Sequence, residues 1–115
     1  MGKLTTHILD TMHGCPAAGV SIRLYSLGEA RTLVANAATN VDGRSPEPLM
    51  QGGRMASGSY ELEFDVGDYF RDKAVEIGEP AFLDTVVIRF AVNADEDYHV
   101  PLLTTPWAYS TYRGS

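Results

Sequence analysis

The segment GSYELEFDV, residues 58–66, shows the alternation of side chains from which the fold class follows. Its apolar residues are Tyr60, Leu62, Phe64 and Val66, and the acidic residues Glu61, Glu63 and Asp65 fall between them. A period of two places these sets on opposite faces of a β-strand. One apolar face and one polar face are typical of an antiparallel sheet that covers a core on one side only. The segment therefore predicts a half-buried strand.

Further strand candidates lie on both sides of this segment, and turn-forming residues separate them. They are LTTHILD (4–10), VSIRLYSL (20–27), ARTLVANAAT (30–39), TVVIRFAVN (85–93), YHVPLLTTP (98–106) and WAYSTYRG (107–114). Many short strands at such spacing are typical of an all-β sandwich or barrel. We therefore predict an antiparallel two-sheet β-sandwich of about eight strands.

One segment, DVGDYFRDKAVEIG at 65–78, has a helical period instead. Phe70, Ala74 and Ile77 share one helical face, and Asp68 is a suitable N-cap residue. The pattern predicts one short helix at about Asp68–Val75.

The composition limits the classes of function. The chain has 115 residues, which predicts a single domain over 1–115, and its formal net charge is −6. Nucleic acid is therefore not an expected partner, because phosphate binding requires a basic surface. No apolar run is long enough to span a membrane, and the single cysteine excludes an intrachain disulfide. We expect a cytoplasmic protein without a membrane partner. No sequence motif for a cofactor or a metal is present either.

Three histidines and one arginine are candidates for chemistry. His7 shares a predicted strand face with Thr5 and Leu9, His99 begins the strand after an acidic turn, and His13 lies in a turn. A single histidine in a strand is more often a hydrogen-bonded structural group than a catalyst, and His13 fits a structural or solvated role better still. Arg44 follows the tight-turn pair Asp-Gly, and a surface role is its simplest interpretation.

Several motifs together change this interpretation. The segments THILDTMHGCPAAGV (6–20), DGR (42–44), YHVPLL (98–103) and PWAYSTYRGS (106–115) resemble those of the transthyretin-related 5-hydroxyisourate hydrolases. The similarity covers essentially the whole chain. Its most specific element is the quartet Tyr-Arg-Gly-Ser at 112–115. The hormone carrier transthyretin lacks this quartet, and it also lacks the histidine of the first strand.

The resemblance implies a fold, a site and an assembly. The fold is that of transthyretin. The catalytic set is His7, Arg44, His99 and Ser115, and the substrate contacts are His7, Arg44, Tyr112, Arg113 and Gly114. The assembly is a homotetramer, a dimer of dimers with active sites in the channel between the dimers. The reaction opens a ring amide of 5-hydroxyisourate and requires no cofactor.

These residue types suit the hydrolysis of a cyclic amide. Histidine exchanges protons near neutral pH because its ordinary pKa is ~6.5. Arginine presents a planar fork of donors to the oxygens of a ureide. Tyr112 can hydrogen-bond or stack on the ring, and Ser115 supplies a hydroxyl and, as the last residue, a carboxylate. We expect His7 to contact the substrate and His99 to activate the water, although the sequence leaves this assignment open.

Two other functions fit the same residues. One is a non-enzymatic carrier that binds a small aromatic ligand in the tetramer channel, against which His7 and the terminal quartet argue. The other is a zinc hydrolase with His7 and His99 as ligands, for which no third ligand is evident in the sequence.

Overall fold

Two β-sheets form the body of the molecule in the computed structural model, which describes residues 2–114. The strands are β1 (Lys3–Asp10), β2 (Cys15–Pro16), β3 (Ser21–Leu27), β4 (Arg31–Ala38), β5 (Met50–Gln51), β6 (Gly58–Phe64), β7 (Val86–Val92), β8 (Tyr98–Thr104) and β9 (Tyr109–Thr111). The helices are α1 (Val66–Asp72) and a 3₁₀ helix at Gly52–Arg54. The predicted two-sheet sandwich with one short α-helix is confirmed.

The strand order brings distant parts of the chain together. The first sheet has the order β2-β1-β8-β9, with β5 pairing the start of β1, and the second has the order β4-β3-β6-β7. These pairs are antiparallel, apart from β1 and β8, which run parallel from Leu4 opposite Tyr98 to Asp10 opposite Thr104. Because β1 and β8 lie side by side, residues 94 positions apart in sequence become neighbours.

The core lies between the sheets and follows the predicted alternation. The fully buried side chains include Leu4, Ile8, Ile22, Leu24, Leu62, Phe64 and Leu102. Their strand neighbours face outward. On the outer face of the second sheet, Arg23 binds the carboxylates of Glu63 and Asp65. Burial of one face of each strand therefore sets the register, because a shift by one residue would expose the core set.

The helix begins and ends earlier than the predicted span Asp68–Val75. It starts at Val66, which is fully buried, and the backbone N–H of Gly67 donates to the carbonyl of Asp84 at 2.8 Å. Packing of this first turn therefore sets the start. Asp68, the predicted cap, lies inside the first turn, where a carboxylate interacts favourably with the helix dipole.

Candidate active site

The outer face of the first sheet carries both strand histidines. Alternation along β1 places Thr5 and His7 on one face, as predicted, and this is the outer face, because Leu4, Thr6 and Ile8 are buried in the core. In the parallel ladder Thr5 lies opposite His99, and His7 lies opposite Pro101. The pairing of β1 with β8 therefore brings His7 and His99 onto one surface.

A tight turn places Arg44 beside His7. The carbonyl of Asn40 accepts from the N–H of Gly43 at 2.9 Å, and the side-chain oxygen of Asn40 accepts from the N–H groups of Asp42 and Arg44. Gly43 has φ +76°, and a Cβ there would collide with the carbonyl oxygen of Ile8. A residue without a side chain is therefore required for the close approach to β1. The turn ends with Arg44 in an isolated antiparallel bridge to His7.

The backbone holds the ring of His7 in one orientation. Its Nε2 lies 2.8 Å from the carbonyl oxygen of Asp42. A carbonyl can only accept, so Nε2 carries the proton, and in the neutral ring Nδ1 keeps a lone pair. His7 therefore offers an acceptor at Nδ1 when it is neutral.

The ring of His99 is half-buried and lies against a threonine. Its Nδ1 is 2.9 Å from the Thr5 hydroxyl oxygen. Burial lowers the pKa of His99 below its ordinary value, and the positive charge of Arg44, together with that of His7 whenever its ring is protonated, lowers it further. These effects all disfavour the imidazolium. His99 is therefore held in its neutral form at neutral pH.

The C-terminal segment lies along the other side of His99. The N–H of Gly114 donates to the carbonyl of His99 at 2.7 Å, in an isolated antiparallel bridge. A Cβ on Gly114 would be 2.8 Å from Cδ2 of the His99 ring, which is too close. By alternation Tyr112 points to the same face as Gly114, and its side chain is 62% exposed. The segment therefore forms one side of the site.

Arg113 points away from the two histidines. Its guanidinium lies 4.2 Å from the ring centroid of Tyr98 and donates to Glu96 at 3.0 Å. Tyr98 belongs to the core-facing set of β8, on the side opposite to His99. Within this chain Arg113 is therefore not brought to the site. Ser115, the remaining residue of the expected catalytic set, lies outside the described residues.

A cavity of about 470 Å³ opens between β1, β8 and the residues after the Asp42–Arg44 turn. Thr5, Arg44 and His99 line it together with Lys3 and Glu47, whereas His7 is not one of its lining residues. A larger hollow of about 1170 Å³ lies between β4 and residues 46–54, but none of the predicted site residues lines it. Since Arg44 and His99 line the smaller cavity and His7 is paired with Arg44 beside it, we locate the candidate site there. Over residues 2–114, no group of three or more His, Cys, Asp or Glu side chains is placed to bind a metal.

His13 has a structural position, as predicted. Its Nδ1 lies 2.6 Å from the buried carboxylate of Asp10, which also accepts a hydrogen bond from the Tyr69 hydroxyl at 2.8 Å. These contacts lie at the far end of β1, on its core-facing side. His13 therefore supports the fold and is separate from the site.

Three contributors to this site could not be predicted from the sequence. Asn40 organises the turn, the carbonyl of Asp42 orients His7, and the hydroxyl of Thr5 contacts His99. The sequence signalled Thr5 only as a hydroxyl residue on the face of His7. Its partner became visible with the parallel register of β1 and β8, which alternation alone does not provide.

The chain is similar to known proteins over essentially its whole length. The model of the HIUase/Transthyretin family matches residues 4–114. A 5-hydroxyisourate hydrolase of Pseudomonas aeruginosa is 53% identical, and the alignment covers 100% of this chain and 93% of the relative. The solved Klebsiella pneumoniae 5-hydroxyisourate hydrolase is 33% identical with a TM-score of 0.84, and 100% of both chains is covered. A solved (S)-allantoin synthase is 46% identical with a TM-score of 0.94, but this chain covers only 44% of it. No helix among the described residues is long and apolar enough to cross a membrane.

Proposed function

The chain belongs to the HIUase/Transthyretin family, and we propose that it is a 5-hydroxyisourate hydrolase that acts in urate degradation. The reaction opens a ring amide and gives 2-oxo-4-hydroxy-4-carboxy-5-ureidoimidazoline. The observation that carries the proposal is the convergence of His7, Arg44 and His99 on one face of the first sheet. Identity to a bacterial hydrolase over the whole chain favours this function over the carrier.

His99 is the general base in this proposal. Its pKa is lowered by burial and by the charge of Arg44, so the ring is neutral at pH 7 and can take a proton from water. The oxygen of that water attacks the carbonyl carbon of the ring amide. The carbon–nitrogen bond then breaks, and the proton held by His99 passes to the departing nitrogen.

Arg44 stabilises the negative charge that develops on the carbonyl oxygen. Its guanidinium always carries a positive charge and several donors, and the turn at 40–44 fixes its backbone beside His7. His7 contacts the substrate, since its Nε2–H is committed to Asp42 and its Nδ1 lone pair can accept a ring N–H.

The terminal quartet closes the site in this proposal. Tyr112 stacks on the substrate ring or hydrogen-bonds to it, and Gly114 allows the backbone to approach His99. The substrate contact expected of Arg113 and the catalytic contribution expected of Ser115 are part of the same proposal. A substrate contact by Arg113 requires its guanidinium to move away from Glu96 and Tyr98.

We propose that the protein works as a homotetramer in the cytoplasm, without a cofactor or a metal. Exposed aromatic side chains support an assembly that involves this sheet: Trp107 is 53% exposed, Tyr109 is 44% exposed, and both flank the start of the edge strand β9. Large exposed apolar groups at an unpaired edge favour pairing with another chain. An active site that faces such an interface would be completed by the assembly.

Arg44→Ala tests the proposed function. Urate, urate oxidase and the protein are mixed, and the decay of the 5-hydroxyisourate absorbance is followed. We expect wild-type protein to accelerate the decay in proportion to its concentration, and Arg44→Ala to lose about 10²- to 10³-fold in kcat, as when a charge-stabilising donor is removed.

Arg54→Ala serves as the matched control, because Arg54 is an exposed arginine of the 3₁₀ helix outside the cavity. Equal activity of the Arg44 and Arg54 variants would refute the assignment of Arg44. No acceleration by folded wild-type protein would refute the function.

A further inference from the structure

The hydroxyl of Thr5 is a polar group beside His99 that the proposed chemistry does not use. Its oxygen lies 2.9 Å from Nδ1 of the ring, at a position where β1 and β8 pair residue for residue. The backbone ladder therefore holds both partners of this contact. Thr5 also lines the cavity together with His99 and Arg44.

A hydroxyl can accept or donate, and the two cases give His99 opposite properties. If the hydroxyl donates to Nδ1, the proton of the neutral ring sits on Nε2, and Nε2 cannot act as a base. If the hydroxyl accepts from Nδ1–H, Nε2 keeps its lone pair. We propose that Thr5 is a positioning residue that accepts from Nδ1–H and holds His99 in the tautomer whose Nε2 is the base. This inference rests on the proposed function.

The charged groups around the ring favour its neutral form. Arg44 faces the ring from the turn, His7 and Lys3 belong to the neighbouring strand β1, and Glu47 lines the cavity. The positive charge of Arg44 disfavours the imidazolium, so His99 is neutral and carries a single ring proton, and the contact with Thr5 decides which nitrogen holds it.

The contact also suits both states of the catalytic cycle. After His99 takes a proton, both ring nitrogens carry hydrogen, so a hydroxyl at Nδ1 can then only accept. A hydroxyl that already accepts in the neutral state needs no rearrangement during the proton transfer. Gly114 packs against the Cδ2 edge of the same ring, so that the ring is held from both sides.

The test combines ¹⁵N NMR of the histidine side chains with kinetics. The chain has three histidines, so substitution of each assigns the signals. In wild-type protein at neutral pH we expect His99 to carry its proton on Nδ1. Thr5→Val keeps the β-branched shape and removes the hydroxyl. It should shift His99 toward the Nε2–H tautomer and reduce kcat by about 10- to 100-fold, as for a lost hydrogen bond to a charged group.

The pH profile and two further variants separate positioning from a general loss of structure. Without its acceptor the imidazolium is less stable, so the acidic limb of the Thr5→Val profile should move to lower pH. Thr5→Ser should restore the tautomer and most of kcat. Thr32→Val is the same change on β4 of the other sheet, and it should change neither the tautomer of His99 nor kcat.

Two results would overturn the proposal. One is an Nε2–H tautomer of His99 in the wild-type spectrum, which refutes it whatever the activity is. The other is a Thr5→Val protein that keeps the wild-type tautomer and kcat. If wild-type protein does not hydrolyse 5-hydroxyisourate, the proposed function fails, and the tautomer is still decided by the spectrum.

Discussion

Gly114 is the residue whose substitution tests the geometry of the site with the smallest chemical change. In Gly114→Ala the added methyl group would meet Cδ2 of His99 at 2.8 Å, so the ring or the terminal segment must move. Displacement of a catalytic group by as little as ~1 Å can cost ~10²-fold, and we expect kcat to fall by about 10- to 100-fold. Kinetics of purified protein measure this.

Gly28→Ala is the matched control, because a Cβ at Gly28 meets nothing within 4 Å. It should keep wild-type kinetics, and both variants should melt close to the wild-type temperature. Wild-type kcat in Gly114→Ala would show that the approach of the terminal segment to His99 is irrelevant to hydrolysis.

His99 determines the expected pH dependence. Its pKa lies below the ordinary ~6.5 because of burial and of the positive charge of Arg44. The neutral ring is the base, so activity is complete above this lowered pKa and is lost as the pH falls through it. A profile of kcat/KM against pH should therefore be flat near pH 7 and decline only below about 6.5. A decline that begins well above pH 7, or no acidic decline at all, would contradict His99 as the base.

At the scale of elements, the buried carboxylate of Asp10 links β1 to the turn after it and to α1. Burial alone would raise the pKa of Asp10, but hydrogen bonds from His13 and Tyr69 outweigh it and hold the pKa below its ordinary value. A lowered folded-state pKa stabilises the fold above the unfolded value of ~3.9, and this contribution is lost as the pH falls through the lowered pKa.

Tyr69→Phe tests this link. The Tyr69 hydroxyl donates to a buried carboxylate at 2.8 Å, and loss of such a bond should cost about 1.5–3 kcal/mol in the free energy of unfolding at pH 7. Tyr60→Phe is the control, since its hydroxyl donates to the neutral carbonyl of Ala56 and should cost about 0.5–1.5 kcal/mol.

Urea denaturation at pH 7 and at pH 3 measures both free energies. The difference between the two variants should shrink at the acidic pH, where protonation of Asp10 begins to remove the charge. Equal costs at pH 7 would show that the carboxylate of Asp10 adds nothing to the link.

The strands and the helix also show how much of the structure the sequence could predict. The strand positions and the face of His7 followed from alternation in segments such as 4–10 and 58–66, because burial of one face is a local pattern. The start of α1 did not follow from a local pattern, since Asp65, the residue before the helix, binds Arg23 and the first turn packs against Asp84. The contact between Thr5 and His99 depends on a parallel pairing across the chain, which no local pattern contains.

The whole molecule places its proposed site where four parts of the chain meet, which are β1, the turn at 40–44, β8 and the segment after β9. Removal of residues 112–115 takes away Tyr112 and the bridge of Gly114 to His99, but leaves the core residues in place. We expect the shortened chain to remain folded and to form the same proposed tetramer as wild-type protein. Light scattering and thermal melts measure these two properties.

The rate of 5-hydroxyisourate decay with equal amounts of wild-type and shortened protein tests the central claim most directly. The predicted result is rapid decay with wild-type protein, and a rate reduced by about 10²-fold or more without residues 112–115, as when groups that act in the transition state are removed. The contradicting result is a wild-type rate in a folded protein that lacks the quartet, or a decay that folded wild-type protein does not accelerate.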